Sequence, residues 1–290
     1  MLAAILLIAA PVLLSGCDRV TSLPGTGVEL TIGAQSADDN RVVAAIYGIA
    51  LEEQGYTVDY NWGVGSRTRI ISALREGIID ISPDYTGLLL EAIDSAHASG
   101  SPDVALGFLQ SAADELGLSV LDPATAAKTP AYVVTREFAK AHDLTEIGDL
   151  AGIGSAITIA STSDLGSLDY GSSALAYSYG VEGFGERTTD SDAESIAALA
   201  SGSAQVALVS PLSLGDDELR VLKDPRYIVL DERVVPVVNS GRLDATIEST
   251  LDAVSASLST ADLRAFAAED SALPETVARA WLVDEGLIES

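Results

Sequence analysis

Ala73-Leu74-Arg75-Glu76-Gly77-Ile78-Ile79-Asp80-Ile81-Ser82-Pro83-Asp84-Tyr85-Thr86-Gly87 is the stretch from which the fold is read. Gly77 stands where a helix C-terminus takes a residue tolerant of left-handed backbone. Ile78, Ile79 and Ile81 are β-branched and bracketed by turn residues, which predicts a short buried strand. Pro83 is expected to stop that strand, leaving Asp84, Tyr85 and Thr86 at its carboxyl end before another helix. Ligands of open α/β sheets bind beyond the carboxyl ends of the strands. An aromatic face beside a carboxylate, with no nucleophile and base, points to binding and not to bond-making chemistry.

On either side the same alternation continues. Strands are expected at Val28–Gly33 and Tyr56–Tyr60, with a helix from about Asp39 to Gln54 between them, closed by Gly55. Trp62–Arg67 reads as a loop, and Thr68–Glu76, Thr86–Ala96 and Val104–Leu116 read as helices. This order predicts βαβ units and a largely parallel sheet. Further strands are expected at Leu118–Leu121, Ala131–Thr135, Ala156–Ala160, Gln205–Val209, Leu219–Leu222, Tyr227–Leu230 and Val234–Val238. Asp122–Pro130 and Ser161–Gly185 read as irregular, Arg136–His142 and Ser191–Ser201 as helices, and the chain beyond Val238 as helical, its last helix opened by Pro274.

These residues carry a resemblance. Leu74, Gly77, Asp80 and Pro83-Asp84-Tyr85-Thr86-Gly87 are similar to a segment of the glycine betaine/choline-binding proteins of ABC importers. Thr31-Ile32-Gly33-Ala34-Gln35-Ser36, the run from Ile46 to Tyr56, and Gly65-Ser66-Arg67 resemble that family's opening strand, first helix and next loop. The likeness is closest over residues 28–90 and extends to about 152. It implies an α/β, two-lobed periplasmic-binding-protein type II fold with an interlobe cleft. It also implies that the chain crosses between lobes near Ala127–Tyr132 and returns near Leu222–Asp231. Residues 28–127 and 228–290 would then form the first lobe and 128–227 the second, with the C-terminal helices packed back on the first.

Composition narrows the function. The chain has 290 residues, enough for two cores, and 16 Lys+Arg against 43 Asp+Glu give a formal net charge of −27. So acidic a chain lacks the cations that phosphates require, which argues against nucleic acid as a partner. Its field either keeps the protein soluble or attracts cationic solutes. The single cysteine, Cys17, excludes an intramolecular disulfide, and the two histidines, His97 and His142, have no metal-ligand spacing. No cofactor and no metal are expected.

Residues 1–14 are almost wholly apolar, the length of a signal-peptide core and too short to span a bilayer comfortably. Leu14-Ser15-Gly16-Cys17 resembles a bacterial lipoprotein box. This predicts a signal peptide over 1–16, acylation of Cys17 and a tether over 17–27, with the protein held on the extracytoplasmic face of the cell membrane. A basic segment before the apolar run is missing, so Met1 need not be the true start.

A quaternary ammonium donates no hydrogen bonds, so a receptor holds it with aromatic faces and carboxylates. A carboxylate on the same solute needs donors as well. Tyr85 matches the family's tyrosine and is the first candidate wall, with ordinary packing as the alternative. Asp84 stands where the family has Glu, and either caps the next helix or adds negative potential. Thr86 shares that cap or reaches the ligand. Gln35 and Ser36 bond the ligand or cap a helix. Arg67 binds a carboxylate or forms an inter-loop ion pair. Tyr132 in the crossing strand, and Tyr170, Tyr177 and Tyr179 in the second lobe, are further aromatic candidates, each with packing as the rival. Tyr47, Tyr56 and Tyr60 read as structural and Trp62 as rim or core. After the strand ending at Val209, Ser210-Pro211 departs from the family's pattern, leaving half of the cage unassigned.

The reading that follows is a monomeric, lipid-anchored solute receptor that closes on a small quaternary amine osmoprotectant and docks on ABC permease subunits. Two other readings compete with it. An enzyme lacks support, since no nucleophile elbow, phosphate loop or dinucleotide fingerprint is present. A degenerate receptor fold serving as a scaffold or sensor would account for the departure after Val209.

Overall fold

The computed structural model describes residues 27–35, 37–215, 219–268 and 273–289. The expected signal peptide, Cys17 with its expected acylation, and Ser36 lie outside the described residues. In chain order the elements are β1 (Glu29–Gly33), α1 (Asp38–Glu53), β2 (Thr57–Asn61), α2 (Arg67–Arg75), β3 (Ile81–Tyr85), α3 (Thr86–Asp94), α4 (Pro102–Glu115) and β4 (Leu118–Val120). Then come β5 (Ala131–Thr135), α5 (Arg136–Ala141), β6 (Thr158–Ser161), α6 (Ser172–Ala174), β7 (Gly185–Thr188), α7 (Asp192–Ala200), β8 (Val206–Val209) and β9 (Leu219–Val221). β10 (Val234–Asn239), α8 (Ala245–Ser257), α9 (Thr260–Ala268) and α10 (Pro274–Asp284) complete the chain.

Two five-stranded sheets result, ordered β2-β1-β3-β10-β4 and β7-β6-β8-β5-β9. Each is mixed and not largely parallel. β1 runs parallel to β2 and β3, but β10 lies antiparallel between β3 and β4. In the second sheet β6 is parallel to β7 and β8, while β5 is antiparallel to β8 and β9. The strand that follows each passage between sheets, β5 or β10, is therefore the one that runs against its neighbours.

Alternating side chains explain how both faces of each sheet are covered. Val234 and Val238 of β10 face the core built on α1, α8, α9 and α10, while Val235 and Val237 face the one built on α2, α3 and α4. Val206 and Leu208 of β8 enter one core of the second sheet, and Ala207 and Val209 the other. Helix α1 buries residues all round, as expected of a helix with sheet on one side and helices on the other.

The decisive stretch folds three residues later than its isoleucines suggest. Gly77 takes φ +67°, Ile78 N–H donates to Ala73 O and Gly77 N–H to Leu74 O, a Schellman closure of α2. That closure spends Ile78 and Ile79 on the turn, and Ile78 is left exposed. β3 then begins at Ile81 and runs through Pro83 to Tyr85, so Asp84 and Tyr85 lie within the strand. Pro83 is tolerated because it faces Pro236 of β10; neither has an N–H, so no ladder bond passes between them.

Two more expectations are corrected. Tyr227–Leu230 forms no strand, and Gly185–Thr188, which begins at the end of the irregular run Ser161–Gly185 and is otherwise unassigned in sequence, forms the edge strand β7. All four residues of β7 are exposed, so it lacks the apolar alternation that marks a strand in sequence.

The chain leaves the first sheet after β4 and returns to it before β10. The two crossing segments are hydrogen-bonded to each other: Lys128 N–H donates to Glu232 O, Val234 N–H to Ala126 O, and Glu232 N–H to Thr129 Oγ1. Among the described residues, no helix is long and apolar enough to cross a membrane.

Candidate functional site

Between the two sheets and their crossing segments lies a cavity of about 850 Å³, within the range of small-molecule sites. Gln35, Arg67 and Tyr85 line it from the first sheet's side, Tyr170 and Asp169 from the second, and Lys128 and Glu232 from the crossings.

Asp84 organises one wall without reaching the cavity's lining. Its carboxylate is only 1% exposed; it accepts from Arg67 Nε at 2.8 Å, Gln35 Nε2 at 3.2 Å and the Tyr85 N–H at 2.8 Å. Burial pushes the carboxyl upward, against the pull of Arg67. It does not cap α3. That helix start is held by the returning segment: Thr86 N–H donates to Arg233 O, Gly87 N–H to Asp231 O, and Leu88 N–H to Glu232 Oε2. The side-chain hydrogen bonds of Arg67 go through Nε, so its two terminal amino groups form none among the described residues.

Tyr85 is 7% exposed and its hydroxyl donates to Asp39 Oδ2 at 2.6 Å. Burial and the neighbouring carboxylates push its phenol far up, so it stays protonated. The Lys128 ammonium stands 4.9 Å from the ring centroid and is ion-paired to the same Asp39 carboxylate. The ring chosen from sequence as a wall for a cation thus already faces a cation of the chain.

The other sequence candidates divide. Tyr132 is 1% exposed and does not line this cavity; its hydroxyl donates to Tyr170 O at 2.8 Å and so supports the segment that carries Tyr170. Thr86 is also buried, donating to Asp231 O and accepting from Arg233 N–H, which ties the start of α3 to the returning segment. Tyr170 lines the cavity half-buried. Burial, then the charges of Glu232, Asp169 and Glu91, raise its phenol. Tyr179 bonds Asp224 at 2.5 Å under the Arg226 guanidinium, and Tyr177 is exposed.

Lys128, Asp39 and Glu232 were missed in the sequence. Lys128 carried one signal, being one of three lysines in a strongly acidic chain and falling at the expected crossing. Glu232 is 6% exposed, accepts from Leu88 N–H, and is pushed up to about 8 by burial.

The family model described as the substrate binding domain of ABC-type glycine betaine transport systems matches residues 28–284. A glycine betaine/carnitine/choline ABC transporter structure aligns at TM-score 0.73 and 23% identity, over 89% of this chain and 99% of that one. Apo YehZ from Escherichia coli aligns at TM-score 0.73 and 22% identity, over 91% and 100%. An ABC-transporter choline binding protein in complex with choline gives TM-score 0.52 and 16% identity, over 89% of each. At these identities the structures speak for the fold alone, which is the two-lobed α/β type II arrangement. The match along 28–284 shows that the chain belongs to the family of substrate-binding domains of ABC-type glycine betaine transport systems.

Proposed function

We propose that this protein is the extracytoplasmic, lipid-anchored receptor of an ABC importer, binding glycine betaine, choline or a related quaternary amine osmoprotectant in the cleft. The observation that carries the reading is the cavity itself. It is about 850 Å³, lies between the sheets, and brings three tyrosines, Tyr85, Tyr170 and Tyr227, together with side chains of both charge signs. A methylated ammonium is held by ring faces and carboxylates, and a solute carboxylate by the donors of Arg67. Gln35, Ser36, Arg67, Asp84, Tyr85, Thr86, Tyr132 and Tyr170 form the ligand-binding set in this reading. Gln35, Arg67, Tyr85 and Tyr170 meet the solute, Asp84 and Thr86 hold the wall that carries Tyr85, and Tyr132 holds the segment that carries Tyr170. The lobes, residues 28–127 with 228–290 and residues 128–227, close by bending at the paired crossings, and the closed form docks on the permease as a monomer.

The test is calorimetric titration of the purified protein with glycine betaine, proline betaine, choline and unrelated amino acids. Saturable binding confined to the quaternary amines is expected. Silence across all of them, from a protein with a cooperative melt, would leave the fold without this function.

A further inference from the structure

We propose that Lys128 is a specificity-determining residue: it takes the Tyr85 face and makes that end of the cavity the seat of the solute's anionic group, so zwitterionic betaines are preferred to choline. This rests on the quaternary-amine reading above and names the solute class within it.

The argument is one of which atoms face the cavity. Two buried ion pairs build this wall, Lys128 with Asp39 and Arg67 with Asp84. In both, the cation is the outer partner. Lys128 is 26% exposed against 7% for Asp39, and Arg67 is 19% exposed against 1% for Asp84. A solute therefore meets an ammonium and the terminal amino groups of a guanidinium, with the carboxylates behind them. Tyr85 cannot turn away from this arrangement, because its hydroxyl is bonded to Asp39 and its ring lies under the Lys128 ammonium. A trimethylammonium placed here would face two like charges at short range in a partly dry cleft, where they are weakly screened. A carboxylate placed here gains charge-assisted hydrogen bonds.

Carboxylates line the cavity as well: Glu91 and Asp169 share the lining with the half-buried Tyr170 and with Arg226, while Glu232 lies within electrostatic reach of Arg67. Among the described residues, the carboxylates of Glu91 and Asp169 form no hydrogen bond or ion pair. An ammonium and a carboxylate on one small solute thus find separate seats, whereas choline leaves the Lys128 end facing a neutral hydroxyl.

The experiment compares glycine betaine with choline by calorimetry on the wild type, on Lys128→Met and on Lys128→Arg. The wild type is expected to bind betaine at least tenfold more tightly. Lys128→Met should weaken betaine about tenfold and strengthen choline, so that the ratio falls at least thirtyfold. Lys128→Arg should keep the preference. A wild type that prefers choline overturns the proposal whatever the variants do. So does a folded Lys128→Met whose betaine-to-choline ratio stays within threefold of wild type. Should the wild type bind neither solute, the receptor reading fails, and this inference with it; an unchanged ratio with binding intact defeats the inference alone.

Discussion

Glu232 enters the cleft with 6% of its surface exposed and a single hydrogen bond to its carboxylate, from Leu88 N–H. Desolvation lifts it from 4.5 to about 8, while Leu88 N–H and Arg67 pull the other way. The folded value is the higher one, so between those values the native state holds the proton that the unfolded chain has lost. Stability therefore falls as pH rises through that window, by up to about 1.4 kcal/mol per pH unit. Replacing Glu232 with Gln should remove this slope. Relative to the wild type, the variant should gain stability between about pH 5 and about pH 8.5, read from urea midpoints at each pH. A gain of equal size at both would show that Glu232 does not titrate in that range. Residues of this kind were the hardest to read from sequence. Tyr85 was found because it lies in a recognisable run, and Arg67 because cations are scarce. What holds them, Asp39 and Lys128, is remote in the chain, and no local pattern marks a pair formed by closure of two sheets.

The junction of β3 with α3 is where an element is fixed by another part of the chain. A Cβ on Gly87 would come within 2.8 Å of Asp231 O, of Glu232 Oε1 and of Leu230 Cβ, all three in the returning segment and the first of them a backbone atom. Gly87→Ala should therefore displace that segment, costing about 1–3 kcal/mol as other overpacking changes do. It should also weaken betaine binding, since Glu232 and the crossing move together. Chemical denaturation and calorimetric titration check the two effects; unchanged stability would mean that the returning segment yields freely. Helices and central strands were legible because their apolar periods are strong, as in α1 and β8. The displaced start of β3 was not. Three isoleucines satisfy strand propensity, but the Schellman closure at Gly77 claims the first two, and only pairing with β10 carries the strand through Pro83. β7 and the absence of a strand at Tyr227–Leu230 were equally outside local reach.

At the scale of the whole molecule, the formal charge of −27 implies net self-repulsion in the compact state. Screening should relieve it: the melting temperature without ligand is expected to rise between about 10 and 150 mM sodium chloride, the range over which the Debye length shrinks to about 8 Å. Scanning calorimetry measures this, and a flat or falling trend would show that local ion pairs such as Arg67–Asp84 outweigh the global field. The two-sheet division was legible from the alternation of strands and helices together with the family likeness, whereas the mixed sense of each sheet was not. That mixed sense has a consequence for how the polypeptide acquires its shape. Because β10 inserts between β3 and β4, the early strands wait for residues 234–239 before the sheet can be completed. A nascent chain that has made everything up to β9 still presents a raw edge along β3, open to unwanted partners until the last fifth of the molecule emerges.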